Sequence, residues 1–323
     1  MNYILKTIFK SGKFTFGFTI FAIVLLFITI YPIFDRRDPM QMGGGLYERP
    51  NTREYINRNK ESAQAEAAEL TQEEIEMAEL LAAWGLTAVT RDTGPIQLHI
   101  LGTDNFGRDV LAQLVAATKT SLRIGLMAGT IATLLGLIIG LLAGYVGGQV
   151  DNFLSSLTNI FIVIPSIVIL ILISVSVRSS TTISISFIIG FTSWPWTARS
   201  VRAQTTSLRN RDHVNLSKLS GHSMPRIIVR DVLPYIMSYV AMAFILQVAS
   251  GILAEATLSM LGLGPRNVAT LGLMMYWGQT FNALFTGAWW ALLPMVVMIS
   301  LISFSLNFMN TGLDQIFNPQ IRS

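Results

Sequence analysis

The sequence predicts an all-α integral membrane protein, and three observations carry that reading. Of its 323 residues, 51% are hydrophobic and 13% are charged, about half the charged share of a soluble domain, and the mean hydropathy is +0.52. The charges are also segregated, leaving uncharged runs at 14–34, 124–150, 152–177, 179–198 and 267–313. Each run reaches the ~20 residues that a helix needs to cross the hydrocarbon layer. Lys and Arg gather between the runs, where they act as topology signals. The net charge of +4 therefore does not point to nucleic acid. With no cysteine and three scattered histidines, His99, His213 and His222, a disulfide framework, a thiolate metal site and a histidine metal triad are excluded.

Residues 1–13 carry Lys6, Lys10 and Lys13 without an acid and read as a cytoplasmic N-terminus ahead of a first span over 14–34. A secretory signal peptide shares the basic start and apolar run. This run is long for one and lacks a small-x-small cleavage site before Asp35, so a retained span is expected. Residues 35–115 read as an extracytoplasmic insert and pre-helix-2 segment, because 11 of the 14 acids that precede Asp151 fall between Asp35 and Glu79. Within it Gly43–Gly45 make a joint, and Thr71 with Glu74 forms a capping box that predicts a helix over about 72–84, stopped by Gly85. The insert either faces a partner or is a tolerated surface insertion. LGTDNFGRDVL at 101–111 predicts a turn from Gly102 to Gly107, held by Asp and Asn side chains, and then a helix start. The alternating acids and closing Glu of a calcium loop are missing there.

In the run 124–150, Gly136, Gly140, Gly144 and Gly148 recur every four residues, which lines one helix face with small residues and predicts close approach of a neighbour. Pro165 and Pro195 are expected to kink or end the next two spans, with Trp194 and Trp196 suited to an interface. Arg199 to Pro234 then carries Arg199, Arg202, Arg209, Arg211, Lys218, Arg226 and Arg230 against Asp212 and Asp231, which places it on the cytoplasmic side. A short amphipathic helix, a turn at Gly221 and a second short helix would make a compact knob, with Leu208, Val214, Leu216 and Leu219 as apolar contacts. A solvated basic loop is the other reading. A fifth span is expected from Val232 to about Leu253 and a sixth over about 287–309. Trp277, Trp289 and Trp290 mark a re-entrant or interfacial segment between them, and 313–323 returns to the cytoplasm as a tail.

Several stretches carry a resemblance. Gly221, followed after twelve residues by Pro234 in Leu233-Pro234, resembles the cytoplasmic loop by which ABC-importer permeases dock on an ATPase. Where that family places Glu-Ala-Ala, six residues before the glycine, this chain has Asn215, Leu216 and Ser217. LGTDNFGRDVL, AEATLSMLGLG at 254–264 and the tail LDQIFNPQIRS resemble segments of the C-type permease subunit of oligopeptide and dipeptide ABC importers. Together they run in family order over about 98–322. The chain is thus identified as similar to that subunit, whose family includes nickel and cationic-peptide members.

The resemblance implies a type I importer permease-like fold of six transmembrane helices, with the insert between helices 1 and 2, a permease core over 116–312 and a coupling loop over 199–231. It implies half of a translocation pathway for oligopeptides or dipeptides in a bacterial or archaeal cytoplasmic (inner) membrane, with both termini cytoplasmic. The partners implied are a second homologous permease, two cytoplasmic ATPase subunits and an extracytoplasmic solute-binding protein. The chain is expected to be non-catalytic, because it has no G-x-x-x-x-G-K-[ST] loop, so ATP and Mg would be held by the ATPase subunits. Contact with them would fall to Asn215, Leu216, Ser217, Lys218, Leu219, Gly221, Leu233 and Pro234.

An ion-coupled carrier is the alternative, and it requires an ionisable residue deep within a span. Glu255 is the candidate, but at about 1.5 Å per residue it lies roughly 32 Å along the helix from Pro234, near the outer boundary. An acid so close to hydrocarbon is costly unless paired or wetted, so Glu255, with Ser259, is expected at an outer gate. An intramembrane enzyme has no support, since neither H-E-x-x-H nor G-x-S-x-G occurs.

Overall fold

The computed structural model describes residues 9, 11–35, 38–42, 44–50, 99–177 and 181–317; the helix expected over about 72–84 lies outside them. The described elements are α1 (Gly12–Phe34), α2 (Val110–Val146), α3 (Gly148–Val163), α4 (Ser166–Val177), α5 (Thr182–Arg209), α6 (Asp212–Leu219) and α7 (Met224–Ile227). After a π-helical turn over Ile228–Val232 come α8 (Leu233–Met260), α9 (Leu271–Thr280), a 3-10 turn at Trp289–Ala291 and α10 (Leu293–Phe317). Among the described residues four helical runs are long and apolar enough to cross a membrane: α1, α2, Met224–Met260 and α10. The pair α3 and α4, bent by 88°, makes a fifth if it counts as one span. α5 is long, but its Ser, Thr, Trp and Pro residues and three arginines dilute its apolarity.

By its contacts the chain divides into two units, one within Met1–Arg36, Leu114–Trp277 and Pro294–Ser323, the other within Arg37–Gln113 and Gly278–Leu293. In the first unit the glycines of α2 form two seams. A Cβ at Gly136 would meet Thr197 Cβ at 2.6 Å, one at Gly140 would meet the Ala198 carbonyl at 2.7 Å, and one at Gly144 would meet Thr205 Cβ at 2.7 Å. The face read from the four-residue spacing is therefore the one on which α5 packs. About two to three turns earlier, Gly125 and Gly129 lie against Val248 and Ile252 of α8, so α2 holds both neighbours at a distance that only hydrogen side chains allow. Gly148, the last of the series, is instead the first residue of α3, at φ +57°, with open space where a Cβ would stand.

α3 ends just before Pro165, which has no N–H to continue its ladder, and the chain restarts as α4. Pro195 behaves differently: it is buried inside a continuous α5, beside a Trp194 that is itself buried and packs on Phe161 with ring centroids 5.4 Å apart. Trp196 is half exposed. The basic stretch begins as helix, since Arg199, Arg202 and Arg209 all lie on α5. Arg202 grips Asp151 of α3 through both Nε and Nη2 (2.8 Å for the latter), and Arg199 donates to Asn159 Oδ1 at 2.9 Å. α1 packs on α10 through paired glycines. A Cβ at Gly17 would meet the Ser305 carbonyl at 2.6 Å, and one at Gly312 would strike the Phe14 backbone.

In the second unit, LGTDNFGRDVL folds around one carboxylate. Asp104 Oδ1 accepts from the amides of Phe106 and Arg108 at 2.8 and 2.9 Å, while Oδ2 accepts from Arg108 Nε at 2.8 Å and Gln113 Nε2 at 3.0 Å. Gly102 and Gly107 take φ of +72° and +74°, and Asp109 caps α2 by accepting from the Ala112 amide at 2.8 Å while its other oxygen holds buried His99 Nδ1 at 2.8 Å. The side chains are spent on one another, as the structural reading of this turn requires. Gly45, Glu48 and Trp290 complete the unit: the Thr103 hydroxyl donates to the Gly45 carbonyl at 2.6 Å and accepts from the Glu48 amide at 2.7 Å, and Trp290 Nε1 donates to the Thr103 carbonyl at 3.1 Å.

Candidate functional site

The residues singled out from the sequence fall in two places in the first unit. Around Gly221 the chain forms a knob. α6 has eight residues, too few to persist alone, and it is held at both ends of its length by tertiary contact. Val214 is fully buried in a cluster with Leu141 and Tyr145 of α2, Val201 of α5, and Ile227, Ile228, Val232 and Ile236 of the run leading into α8, with Leu208 and Leu233 packed at its edge. Lys218 Nζ donates to the Arg209 carbonyl at 3.0 Å and lies 5.6 Å from the centre of the Tyr145 ring.

The C-terminus of α6 is closed by a Schellman motif. The His222 amide donates to the Ser217 carbonyl at 3.2 Å and the Gly221 amide to the Lys218 carbonyl at 3.0 Å, with Gly221 at φ +76°. That pairing requires a left-handed residue at this position, which is why glycine stands there. Crowding plays no part, since a Cβ at Gly221 would meet nothing within 4 Å. The second helix of the knob is not separate. Met224 to Met260 is one helical run, begun 8 residues before the expected Val232 and interrupted only by the π turn. There the Leu233 amide reaches back to the Ile228 carbonyl, and Pro234, which has no N–H to give to Arg230, follows at once. His213 ties the knob to this turn, with Nε2 3.2 Å from the Asp231 carbonyl and its ring 4.6 Å from that of Tyr235.

Of the four leucine and valine contacts expected for the knob, Leu208 and Val214 point inward. Leu216 and Leu219 point outward, 63% and 85% exposed. Asn215, which donates to the Asn210 carbonyl at 3.2 Å, and Ser217 share this outer surface. Two exposed leucines on a short helix whose other outward residues are polar make an apolar contact patch.

The second place is Glu255, which is fully buried near the end of α8. Its Oε1 accepts from Ser259 Oγ at 2.6 Å and its Oε2 from Ser121 Oγ of α2 at 2.9 Å; the Thr270 side chain is a further partner. Ser121 Oγ also accepts from the Leu271 amide at 3.1 Å. One carboxylate thus ties α2, the end of α8 and the start of α9. The close fit of AEATLSMLGLG is part of the same node. Gly262, at φ +76°, ends α8 in a second Schellman motif, with the Leu263 amide on the Leu258 carbonyl at 3.0 Å and the Gly262 amide on the Ser259 carbonyl at 2.9 Å. Gly264 and Gly272 leave no room for a Cβ beside Ser259. Sequence reading found Glu255 and Ser259 and missed Ser121 and Thr270, since a hydroxyl in a span carries no sign of a partner 134 positions away. Among the described residues no group of His, Cys, Asp and Glu is placed to hold a metal ion.

The sequence profile of the family described as "binding-protein-dependent transport system inner membrane component" matches residues 136–322. A peptide transport system permease protein of Brucella suis is 33% identical over 227 residues, 69% of this chain and 74% of its own. The dipeptide transport system permease protein DppC of Bacillus subtilis is 33% identical over 226 residues, 69% of each chain. The oligopeptide transport system permease protein OppC of Salmonella typhimurium is 35% identical over 240 residues, 74% of this chain and 78% of its own.

Proposed function

Since the chain belongs to the family of inner membrane components of binding-protein-dependent transport systems, we propose that it is the permease subunit forming one half of an ATP-driven import path for oligopeptides or dipeptides. It works beside a second, homologous permease, two cytoplasmic ATPase subunits that hold ATP and Mg, and an extracytoplasmic binding protein that delivers the cargo. In this reading α5 is the remaining span beside the five apolar ones, giving six, with 1–13 and 313–323 cytoplasmic and 35–115 outside. The insert at 40–98 faces the binding protein or the sister permease.

The observation that carries the proposal is the knob. An import motor must push and pull the spans through its contact with them, which calls for a stiff joint with an adhesive outer face. Val214 roots α6 among α2, α5 and the base of α8, the Schellman cap fixes its end, and Leu216 and Leu219 are left outward for a partner. Asn215 in place of the family's glutamate makes that contact one of packing more than of charge. The carrier alternative loses its support at Glu255, whose oxygens are occupied by hydroxyls of the protein itself. The test is purification of the tagged chain from membranes followed by reconstitution. A complex that contains two ATP-binding subunits and hydrolyses ATP faster with peptide-loaded binding protein is expected; a chain that purifies without ATPases and transports peptide on an ion gradient would sink the proposal.

A further inference from the structure

α3, α5 and α8 each carry a proline or a polar residue at about the same depth, at the end of α3 in one case and within the helix in the other two. Measured from the end of each helix nearest the knob and the Asp151–Arg202 pair, Pro165 lies about 26 Å along from Gly148, Pro195 about 21 Å from Arg209 and Gln247 about 20 Å from Pro234. In a bilayer of roughly 40–45 Å with its headgroups these points fall near the middle. They surround a cleft of ≈ 460 Å³, within the ordinary range of ligand sites.

The cleft's chemistry is unusual for that depth. The α3–α4 break brings to it the Phe161 and Ile162 carbonyls and the Ser166 amide, helix-end groups left without intrahelical partners because Pro165 has no N–H to give. Unpaired backbone at membrane depth is tolerated where it lines a cavity or is buried in protein. Ser166, Ser193 and Ser250 add hydroxyls. Gln247, 5% exposed, donates from Nε2 both to the Ser193 carbonyl at 2.9 Å and to Thr197 Oγ1 at 2.8 Å. Neither bond uses its carbonyl oxygen, so the amide is pinned to α5 with an acceptor to spare. Among the described residues that line the cleft none carries a charge.

We infer that this cleft is a midmembrane station that holds the main chain of the passing peptide, through uncharged donors and acceptors from the Pro165 break, Gln247 and Ser250. A peptide backbone presents alternating N–H and C=O groups whatever its side chains are, so a neutral, hydrogen-bonding wall accepts it without reading side-chain charge. A metal complex, whose recognition calls for charged or coordinating groups, finds none on this wall. The inference rests on the permease reading.

The chain has no cysteine of its own, so Ser250→Cys introduces a single reporter. In the complete transporter in proteoliposomes, its rate of modification by a small hydrophilic thiol reagent is measured during turnover, with neutral, lysine-containing and glutamate-containing tripeptides that each stimulate ATP hydrolysis, and with a nickel–histidine complex. All three peptides are expected to slow modification at least threefold, and the nickel complex to leave it unchanged. Unchanged modification while peptides still stimulate ATP hydrolysis would overturn the station and leave the permease reading standing. Protection by one charge class alone, or by the nickel complex, would overturn the neutral main-chain reading. Transporter that shows no peptide-stimulated hydrolysis even without the substitution would instead strike the permease reading itself.

Discussion

Replacing Gly221 tests the joint with the fewest confounding contacts. The residue sits at φ +76° with no atom within 4 Å of a would-be Cβ, so a substitution changes the backbone preference and nothing else nearby. A left-handed conformation costs an ordinary L-residue roughly 1–2 kcal/mol, and branching at Cβ makes valine the least suited to it. Taking about 2 kcal/mol for Gly221→Val, the balance between the capped and the opened end of α6 shifts about 30-fold. Both cap bonds, from His222 to Ser217 and from Gly221 to Lys218, are lost in the opened form. The spans lie elsewhere, so insertion and thermal stability of the assembled complex should stay close to wild type. Peptide-stimulated ATP hydrolysis and the amount of ATPase recovered with the chain should fall severalfold. Gly221→Asn is the control, because asparagine tolerates the left-handed region, and it should retain most of both. Wild-type values in the valine variant would refute the stiff-joint argument. Equal loss in the valine and asparagine variants would refute the assignment of the effect to φ.

Other outcomes follow from the same contacts. Leu216→Asp with Leu219→Asp, at positions 63% and 85% exposed, should release the ATPase subunits without lowering the melting temperature, whereas Val214→Ala, in the buried cluster, should destabilise the fold by about 2 kcal/mol in a denaturation experiment. Glu255→Gln places an amide donor against a hydroxyl that now donates. It should lower the melting temperature and slow peptide uptake, and no change in either measurement would refute the proposal that Glu255 serves an outer gate. Excision of the insert should begin at Asn51, since an earlier cut takes away Gly45 and Glu48, which bond Thr103; removing 51–90 is expected to reduce uptake at low binding-protein concentration while leaving maximal uptake intact, and normal uptake at every concentration would make the insert a bystander.

Local patterns were legible in the sequence where one residue type decides a local geometry. The glycines at four-residue spacing found their helix neighbour, Pro165 broke its span, and the aspartates of LGTDNFGRDVL closed their own turn. Reading failed where the outcome depends on what lies opposite. Of the two outcomes expected for a proline, a kink or an end, Pro165 gives the end while Pro195 does not, staying within a helix packed on α3 and α8. Leu216 and Leu219 have the same apolarity as Val214 and Leu208, and which pair turns inward is set by the positions of Leu141, Tyr145 and Val201, more than 60 residues away in the case of Tyr145. The π turn before Pro234 leaves no periodic trace at all, because one extra residue shifts the register only once.

The seam between α2 and α5 also sets how this chain can drift in sequence. Every single-base change of a glycine codon that alters the amino acid adds at least one heavy atom. At Gly136, Gly140 and Gly144 the first such atom would already stand 2.6 to 2.7 Å from Thr197, Ala198 and Thr205. Polarity is irrelevant at that distance; alanine is refused for the same reason as aspartate. A saturation-mutagenesis map of α2 should therefore show blank columns at Gly136, Gly140 and Gly144, sandwiched between exposed sites such as Leu134 and Ile138 where most apolar residues survive. The helix would record its neighbour's proximity as a periodic intolerance that no hydropathy scale anticipates.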